Sequence, residues 1–379
     1  MGTILVRRVD TFKYGPFYFS TEIDEMEISK VLVEANILFQ TVNDLPILPE
    51  MASSLDEDLI SRSIFGTAAI EGNPLGEEDV RNLLYKSSER RTSRTSERAK
   101  QEILNLSKAY EIVAKITSDD IEITEDLIKN IHYTLTHGIE HKDNIPGKYR
   151  NHLVKVGNPE HGGVHTPPKI IDDIRNLMKE FITWINSPEV TKLDHFVQAA
   201  LAHYHFSLIH PFGDGNGRTA RLLESIILHS AGIKYVPIML SNFYYRNVDD
   251  YYWAFSNTIK AVGHDTSPFV KFCLTGAVES LKEIKETITW FIRKLTLRDY
   301  YNFLRQKKGI SQRQHDLLSL LLDYGSSFTH QDLHTEEPFR ILYRKVSTRT
   351  STRDLKKLTL MDILIAKDKV YSLNLKMLG

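Results

Sequence analysis

The spacing of apolar residues restricts this chain to a mainly helical fold. In most segments apolar side chains recur every three or four positions, which is the repeat of an amphipathic helix and differs from the alternation of a strand. With 379 residues, 41% of them hydrophobic, the chain is long enough for two or three domains of roughly 150 residues each. The pattern predicts helices over residues 125–135, 170–185, 194–206, 218–231 and 268–294.

Strand signals are sparse, and one of them lies between residues 147 and 168. Val154 and Val156 alternate with their neighbours, and a run rich in glycine and proline follows before Val164 and His165. We predict a β-hairpin that is inserted between helices.

The last part of the chain differs in pattern and in charge. One long helix or a helix pair over about 278–308 ends in a Lys-Lys-Gly run, and three helical patterns and a small hairpin follow, at 311–322, 328–333, 351–358 and 363–373. Three helices followed by a hairpin is the order of a winged helix-turn-helix. Residues 298–379 hold 15 Lys plus Arg and nine Asp plus Glu, a net charge of +6, whereas the rest of the chain carries −7.

Four cations, Arg349, Arg353, Lys356 and Lys357, lie on or beside the third helix of this module. A basic helix in such a module makes DNA a candidate partner. The alternative is that these cations solvate an exposed face or dock a protein, and the sequence leaves both open.

The run His210–Arg221 carries the clearest chemical information. Pro211 and three glycines disfavour a helix, whereas the residues that follow favour one, so we predict a loop that leads into a helix N-terminus. The N–H groups of Gly215, Asn216 and Gly217, together with the helix dipole, would form an anion site that a phosphate can approach without meeting a Cβ.

Polar residues around this site indicate substitution at a phosphate. Arg218 and Arg221 share a helix face and suit a polyphosphate. Asp214 supplies a carboxylate, the kind of ligand that Mg²⁺ prefers. His210, with a pKa expected near neutrality, suits the removal of a proton from an attacking hydroxyl. Three other histidines are interpreted as helix-packing residues: His203, His205 and His229.

These residues match the signature of a known family. Every specified position of H-x-F-x-[D/E]-G-N-G-R-x-x-R is present from His210 to Arg221, so the sequence resembles the Fic family. The resemblance implies transfer of AMP from ATP to a Ser, Thr or Tyr hydroxyl of a protein, with release of pyrophosphate. It implies His210 as the general base, Asp214 as the Mg²⁺ ligand, Asn216 with the adjacent glycine amides at the α-phosphate, and the two arginines at the β- and γ-phosphates. The nucleotide-binding residues that the resemblance implies in this run are Gly215, Asn216, Gly217, Arg218, Thr219, Ala220 and Arg221.

A second resemblance lies upstream, where Thr67–Gly72 matches an inhibitory pattern of one class of this family, [S/T]-x-x-x-E-[G/N]. It implies an inhibitory helix over about 62–72 with Glu71 as the brake. A carboxylate that pairs with Arg221 would remove the cation meant for the γ-phosphate and misalign the α-phosphate for in-line attack. The alternative is an exposed glutamate at a helix end, followed by a glycine C-cap.

The predicted hairpin and a pair of tyrosines also resemble family features. Fic enzymes carry a hairpin flap that aligns the target by strand pairing, which implies a protein substrate docked on this hairpin. Val164 and His165 are expected to cover the nucleotide. Tyr251 and Tyr252 resemble the paired tyrosines near the adenine, although aromatic residues at helical spacing also suit a core. The resemblance spans about residues 45–274.

The predicted architecture is mainly α, with a Fic helical core, a β-hairpin flap and a C-terminal winged helix-turn-helix. We predict an N-terminal helical region that includes the inhibitory helix (1–110), the catalytic core (111–278), a linker helix (279–308) and the winged module (309–379). Cys273 is the one cysteine, residues 1–14 lack the apolar core of a signal peptide, and no window suits a membrane span. We therefore expect a cytoplasmic protein that does not bind membranes; a homodimer stays open.

The predicted function is Mg²⁺-dependent AMPylation of a protein, with ATP as co-substrate and Glu71 as inhibitor. One alternative is removal of AMP at the same site, with Glu71 positioning a water. Another is a DNA-binding regulator whose Fic domain senses ATP. The sequence leaves the target protein open, and also the donor, since UTP or another nucleotide would suit the same phosphate site.

Overall fold

The computed structural model describes residues 6–86, 97–116, 121–325 and 327–378, and it is mainly helical, as predicted. The expectation for residues 1–14 falls in part on residues 1–5, which lie outside the described residues. No helix in these described ranges is long and apolar enough to cross a membrane. The helices are α1 (Glu25–Asn43), α2 (Pro49–Ile70), α3 (Glu77–Tyr85), α4 (Glu97–Ala114), α5 (Glu125–Thr136), α6 (Ile171–Ile185), α7 (Pro188–Thr191), α8 (His195–Ile209), α9 (Asn216–Ser230), α10 (Val236–Arg246), α11 (Val248–Lys260), α12 (Ser267–Gln306), α13 (Gln312–Tyr324), α14 (Asp332–Thr335), α15 (Phe339–Tyr343) and α16 (Thr348–Leu360). The strands are β1 (Val6–Asp10), β2 (Pro16–Ser20), β3 (Val156–Asn158), β4 (Gly163–His165), β5 (Phe328–Thr329), β6 (Leu364–Lys367) and β7 (Val370–Leu373).

The chain divides into two units, and the boundary falls inside α12. The first unit holds residues 1–44 and 48–285, and the second holds 45–47 and 286–379. The last part of α12 places Leu297 and Tyr301 in the core of the second unit. The segment predicted as a linker helix is therefore part of a 40-residue helix that starts at Ser267. Apart from residues 45–47, the predicted N-terminal region lies in the same unit as the predicted catalytic core.

Helix α8 forms the centre of the first unit. From Phe196 onward nearly all of its residues are buried, because its sequence is apolar around the whole circumference and not along one stripe. Helix α9 packs against it and is buried almost as completely. The short connection between these two helices is therefore held on both sides by rigid elements.

An antiparallel hairpin of β1 and β2 precedes the first helix and was not predicted. Val9 pairs with Phe17, and Phe17 and Phe19 both point into the core. The ring of Phe19 stacks on Trp184 with 5.3 Å between ring centroids. The predicted N-terminal helical region therefore also contains a hairpin over residues 6–20, whose strands are stabilised by contacts with residues distant in sequence.

The predicted hairpin between residues 147 and 168 is confirmed, although its paired part is short. Strands β3 and β4 pair antiparallel, with Val156 opposite His165. Gly162 and Gly163 have φ of 95° and 111°, which is backbone that favours glycine. Ser256 Oγ on α11 donates to the Gly162 carbonyl oxygen at 2.9 Å and fixes the turn.

The second unit contains helix α13, strand β5, helices α14 to α16 and the hairpin of β6 and β7. The predicted helix at 328–333 is wrong at its start, because Phe328 belongs to strand β5 and pairs with Tyr371 of β7. The Phe328 ring packs between Phe339 and Tyr371, and these distant contacts favour the strand. The sheet order is β5-β7-β6. The winged helix-turn-helix stays a prediction that rests on the element order.

Candidate active site

The site is built around the connection between α8 and α9. His210 ends α8 by adopting a left-handed φ of 50°, and Gly215, with φ of 76°, precedes the first residue of α9. Between them the buried Phe212 ring stacks on His132, with 3.6 Å between ring centroids. The His132 Nδ1 accepts from the Gly147 N–H and its Nε2 donates to the Asp214 carbonyl oxygen, each at 2.9 Å. A neutral imidazole satisfies both bonds, and burial lowers the pKa of His132 to about 4.

Three residues of the predicted nucleotide-binding run stabilise the loop from within. Asn216 Oδ1 accepts from the Phe212 N–H and its Nδ2 donates to the Phe212 carbonyl oxygen, both at 2.9 Å. Thr219 Oγ1 donates to the Gly215 carbonyl oxygen at 2.8 Å, and Ala220 is fully buried. The Asn216 side chain therefore fixes the loop geometry in this conformation, and its contact with an α-phosphate stays a prediction.

The first turn of α9 forms a cradle whose floor is Gly217. The first amides of a helix have no acceptor one turn earlier, so they attract an anion. A Cβ placed on Gly217 would lie 2.5 Å from Glu71 Oε1 and 3.2 Å from Arg221 Nη1. The Glu71 carboxylate therefore already lies against this cradle, at the glycine that a phosphate would approach.

Glu71 comes from the end of α2 and forms an ion pair with Arg221. The distance from Arg221 Nη2 to Glu71 Oε1 is 2.6 Å, and the two side chains are 2% and 30% exposed. Glu71 is the C-cap residue of α2, and Gly72, with φ of 82°, follows it. The helix-end glutamate and the glycine of the alternative interpretation are therefore both present, together with the ion pair to Arg221. Burial alone would raise the pKa of Glu71, but the charges of Arg221 and Arg218 outweigh it and hold that pKa below its usual value.

Arg221 has further partners on α2. Its Nε donates to Thr67 Oγ1 at 2.8 Å, and its Nη2 lies 3.3 Å from the Thr67 carbonyl oxygen. The first and fifth residues of the inhibitory pattern, Thr67 and Glu71, therefore bind the same guanidinium. This explains in physical terms why a hydroxyl and a carboxylate occur four residues apart on one helix.

His210 lies in the cleft as a neutral imidazole. Burial, followed by the charge of Arg150, lowers the pKa of His210 to about 4. The expectation of a pKa near neutrality is therefore wrong for this conformation. Sequence reasoning also missed Arg150, whose Nε donates to the His210 carbonyl oxygen at 2.8 Å and whose Nη1 donates to the His152 carbonyl oxygen at 2.6 Å. Burial lowers the pKa of Arg150 to about 10, so it stays charged near pH 7.

Asp214 and Arg218 form a second pair beside the cradle. Arg218 Nη2 lies 3.1 Å from Asp214 Oδ2, and the Asp214 side chain is 25% exposed. Burial would raise the pKa of Asp214, but Arg218 and the Gly215 N–H hold it below its usual value. The Arg218 Nε is buried and has no hydrogen-bond partner among the described residues. An unsatisfied buried cationic donor beside a helix N-terminus fits an anionic ligand.

A cleft of 390 Å³ opens in front of these groups. Eight predicted residues line it: Glu71, Val164, His165, His210, Gly217, Arg221, Tyr251 and Tyr252. Six others do not: Asp214, Gly215, Asn216, Arg218, Thr219 and Ala220. Sequence reasoning missed Lys155, Ser207, Phe255, Ile259 and Lys260, which also line the cleft. Phe255 and Ile259 follow the two tyrosines at helical spacing, and this spacing is the sequence signal that would have placed them on the same helix face.

A buried polar network supports the cleft wall at Tyr251. His203 Nε2 lies 2.9 Å from the Tyr251 hydroxyl, and its Nδ1 lies 3.0 Å from Glu224 Oε2. The Tyr244 hydroxyl donates to Glu224 Oε1 at 2.7 Å. His203 is therefore a packing residue, as predicted, and so is His205, which is buried against Ser20. The Tyr251 side chain therefore packs in the core and also lines the cleft.

Comparisons with known proteins agree with this geometry. The model of the Fic/DOC family matches residues 122–228. "Protein adenylyltransferase Fic" of Drosophila erecta is 33% identical over 211 residues, which cover 55% of this chain and 38% of that protein. The protein of the same name from Aedes aegypti is 31% identical over 219 residues, covering 57% of this chain and 40% of that protein. The chain thus spans about two-fifths of the length of these relatives.

Solved structures show the same fold. A Fic family protein from Desulfovibrio desulfuricans matches with a TM-score of 0.56 and 20% identity, over 92% of this chain and 96% of that one. Residues 134–508 of Fic-1 from C. elegans match with a TM-score of 0.56 and 24% identity, over 70% of this chain and 73% of that one. The loop and the helix N-terminus thus form a candidate anion site in a mainly helical fold, and they lie within the residues that match the model of the Fic/DOC family, 122–228.

Proposed function

We propose that this chain transfers AMP from ATP to a Ser, Thr or Tyr hydroxyl of a protein and releases pyrophosphate. The observation that carries the proposal is the convergence of the His210 imidazole, the Gly217 cradle and Arg221 on one cleft. The name of the relatives, protein adenylyltransferase, supports the same chemistry. A triphosphate suits a site that combines a helix N-terminus with two arginines.

The chemistry follows from the charge states of the residues. The neutral His210 takes the proton of the target hydroxyl while that oxygen attacks the α-phosphorus. The bond between the α-phosphorus and the bridging oxygen breaks, and the electron pair leaves with pyrophosphate. Arg221 would bind one of the β- and γ-phosphates from within the cleft, Arg218 would bind the other after turning from its pair with Asp214, and the amides at Gly217 would stabilise charge on the transferred phosphate. Arg150 keeps His210 in place by holding its carbonyl group.

Asp214 is the residue that would hold Mg²⁺. Its carboxylate is ionised and partly exposed. Mg²⁺ is commonly held by one or two carboxylates and completes its shell with phosphates and water, so a single carboxylate beside the phosphate cradle fits this ion. When bound, Mg²⁺ would neutralise charge on the phosphate oxygens.

Glu71 would inhibit the reaction by occupying the phosphate cradle. Its Oε1 lies against Gly217 and binds Arg221, so a γ-phosphate and the carboxylate compete for the same cation and the same space. ATP that binds with Glu71 in place would be displaced at its α-phosphate, and the loss of in-line geometry would reduce the rate more than the affinity.

The flap would receive the protein substrate. Strands β3 and β4 have three residues each, and Val164 is 44% exposed. An extended target segment that adds to this hairpin would bring its hydroxyl towards the neighbouring cleft, into which Val164 and His165 both extend.

Transfer of label from α-labelled ATP tests the proposal. We expect His210→Ala to abolish labelling of protein and Glu71→Gly to raise it. His229→Ala, at the far end of α9, is the matched control and should leave labelling unchanged. Intact mass after incubation with each nucleoside triphosphate identifies the donor. Labelling that persists in His210→Ala would contradict the assigned base.

Removal of AMP at the same site is a second candidate, favoured by one observation. The Glu71 carboxylate is ionised, 30% exposed and lines the cleft, so it is suited to positioning a water. A target labelled in advance distinguishes the two directions, because hydrolysis releases AMP without any requirement for pyrophosphate. Release that depends on Glu71 would support this candidate.

A further inference from the structure

Helix α16 of the second unit separates its residues into two faces. One face holds the buried residues Ser351, Asp354, Leu355 and Leu358. At 3.6 residues per turn, the positions opposite to these are 349, 353, 356 and 360. The first three are exposed cations, Arg349, Arg353 and Lys356, which we call the outer face, and the exposed Leu360 follows them at the end of the helix.

No carboxylate neutralises the outer face among the described residues. The ion pairs within this unit use other cations, such as Arg298 and Arg313. Asp354, the acidic residue of α16, is 5% exposed and points inward, where it binds Arg313 Nε at 2.7 Å and Gln314 Nε2 at 2.9 Å. The helix therefore directs its negative charge into the core and its positive charge into solvent.

This arrangement opposes helix stability. Arg349 and Arg353 are four residues apart, as are Arg353 and Lys357, and each such like-charged pair destabilises a helix by about 0.2–0.5 kcal/mol. Arg349 also lies in the first turn, where the helix dipole disfavours a cation. A helix face that contacts only water gains no stability from placing like charges next to one another. An anionic partner, in contrast, would bind these cations and relieve their mutual repulsion.

The hairpin that follows α16 adds two more cations. Strands β6 and β7 are joined at Asp368 and Lys369, whose φ values are 51° and 67°, which indicates a tight two-residue turn. Lys367 and Lys369 are both exposed at this tip. A helix of 13 residues is about 20 Å long and fits the major groove of DNA, while the hairpin tip is suited to the adjacent backbone.

We propose that the second unit binds double-stranded DNA, with the outer face of α16 in the major groove and the lysines of the hairpin on the phosphate backbone. This activity goes beyond the proposed AMP transfer and does not depend on it. The outer face supplies phosphate contacts, and Arg349 and Arg353 are also suited to bidentate contacts with guanine.

Fluorescence anisotropy of the full chain with a labelled 30-base-pair duplex of random sequence tests this proposal. We expect binding at 50 mM salt that weakens as salt rises. The triple variant R349Q/R353Q/K356Q removes three phosphate contacts. The slope of the logarithm of the binding constant against the logarithm of the salt concentration is negative, and it should become less steep by about 2.7. At 0.1 M salt this corresponds to a loss of roughly 10²- to 10³-fold in affinity. Thermal unfolding checks that the triple variant is folded.

Two controls separate this surface from charge in general. R305Q/K307Q/K308Q removes the same charge from the end of α12 and should bind the duplex almost as the unaltered chain does. His210→Ala should bind normally, because it lies in the first unit. The proposal is overturned if the chain does not bind the duplex at 50 mM salt, if the two triple variants lose affinity equally, or if duplex RNA or polyglutamate binds more tightly than DNA.

Discussion

Replacement of Glu71 by Gln separates the two ways in which this carboxylate is expected to inhibit. Gln keeps the size of the side chain beside Gly217 but removes the charge that faces Arg221. Glu71→Gly removes both. If charge and space both matter, activity should rise in the order wild type, Glu71→Gln, Glu71→Gly.

The magnitudes follow from the geometry of the ion pair. Arg221 is 2% exposed, and its Nη2 lies 2.6 Å from Glu71 Oε1, so the contact is a charge-assisted hydrogen bond that contributes about 1.5–3 kcal/mol. A neutral hydrogen bond contributes about 0.5–1.5 kcal/mol, so Gln should weaken the brake by about 1–2 kcal/mol. This corresponds to a 5- to 30-fold rise in initial rate, and complete removal by Gly to roughly 10- to 150-fold.

The assay is the initial rate of AMP incorporation from α-labelled ATP into the chain itself. Glu180→Gln is the matched control, because Glu180 is 25% exposed and pairs with Arg7 away from the cleft. This control should leave the rate unchanged. A Gln variant as active as the Gly variant would refute the steric part of the reasoning, and two variants no faster than wild type would refute the brake itself.

Four other predictions concern buried residues in and around the site. Because the pKa of His210 lies at about 4, kcat/KM of a released variant, one such as Glu71→Gly that lacks the proposed brake, should stay constant from about pH 8 to about pH 5.5. A fall in kcat/KM centred near pH 6.5 would contradict a base that is neutral in this range. Burial also lowers the pKa of His132 and of His205 to about 4, so below pH 6.5 the unfolded chain binds more protons than the folded one and stability falls as pH falls. The free energies of unfolding in urea at pH 7 and pH 5 should differ by about 2 kcal/mol for each of these two histidines and for His210, and equal values would show that they are not buried as neutral rings. Arg150→Lys cannot span the same carbonyl groups and should lower the rate of a released variant by about 10- to 100-fold, whereas an unchanged rate would exclude a positioning role. Thr67→Val leaves a buried guanidinium donor unsatisfied and should lower the unfolding free energy by about 1–3 kcal/mol, with Thr67→Ser restoring it.

The sequence predicted those parts of the site that lie close together in the chain. The glycine corner and the helix that follows it depend on local backbone preferences, which residues 210–221 display directly. The ion pair of Glu71 and Arg221 was predicted across 150 residues through the resemblance of two short patterns, and the structure confirms the contact.

Features that depend on distant contacts were not predictable in the same way. The role of Asn216 depends on its hydrogen bond to Phe212, which the folded loop brings close. The role of Arg150 depends on the contact of the segment before the flap with the carbonyl group of His210 at the end of α8. The pKa of His210 was misjudged because burial, its largest cause, is a property of the folded unit. Strands β1 and β5 were missed for a related reason, since their pairing partners and aromatic neighbours fix them more than their own sequences do.

The way in which α2 packs determines how the proposed brake would be released. A Cβ on Gly66 would lie 2.8 Å from both Asn242 Cα and the Ser241 carbonyl oxygen, so the backbones of α2 and α10 are in direct contact. Displacement of the whole helix would break this packing along much of α2. Glu71 follows the last helical residue, however, and the hydrogen bonding of the final turn ends with the N–H groups of Gly72 and Asn73, which donate to the carbonyl oxygens of Ala69 and Ala68. Release of the proposed brake would therefore require rotation of the Glu71 side chain or fraying of the final turn, and a partner that releases it would engage residues near 71–73 and not the body of α2.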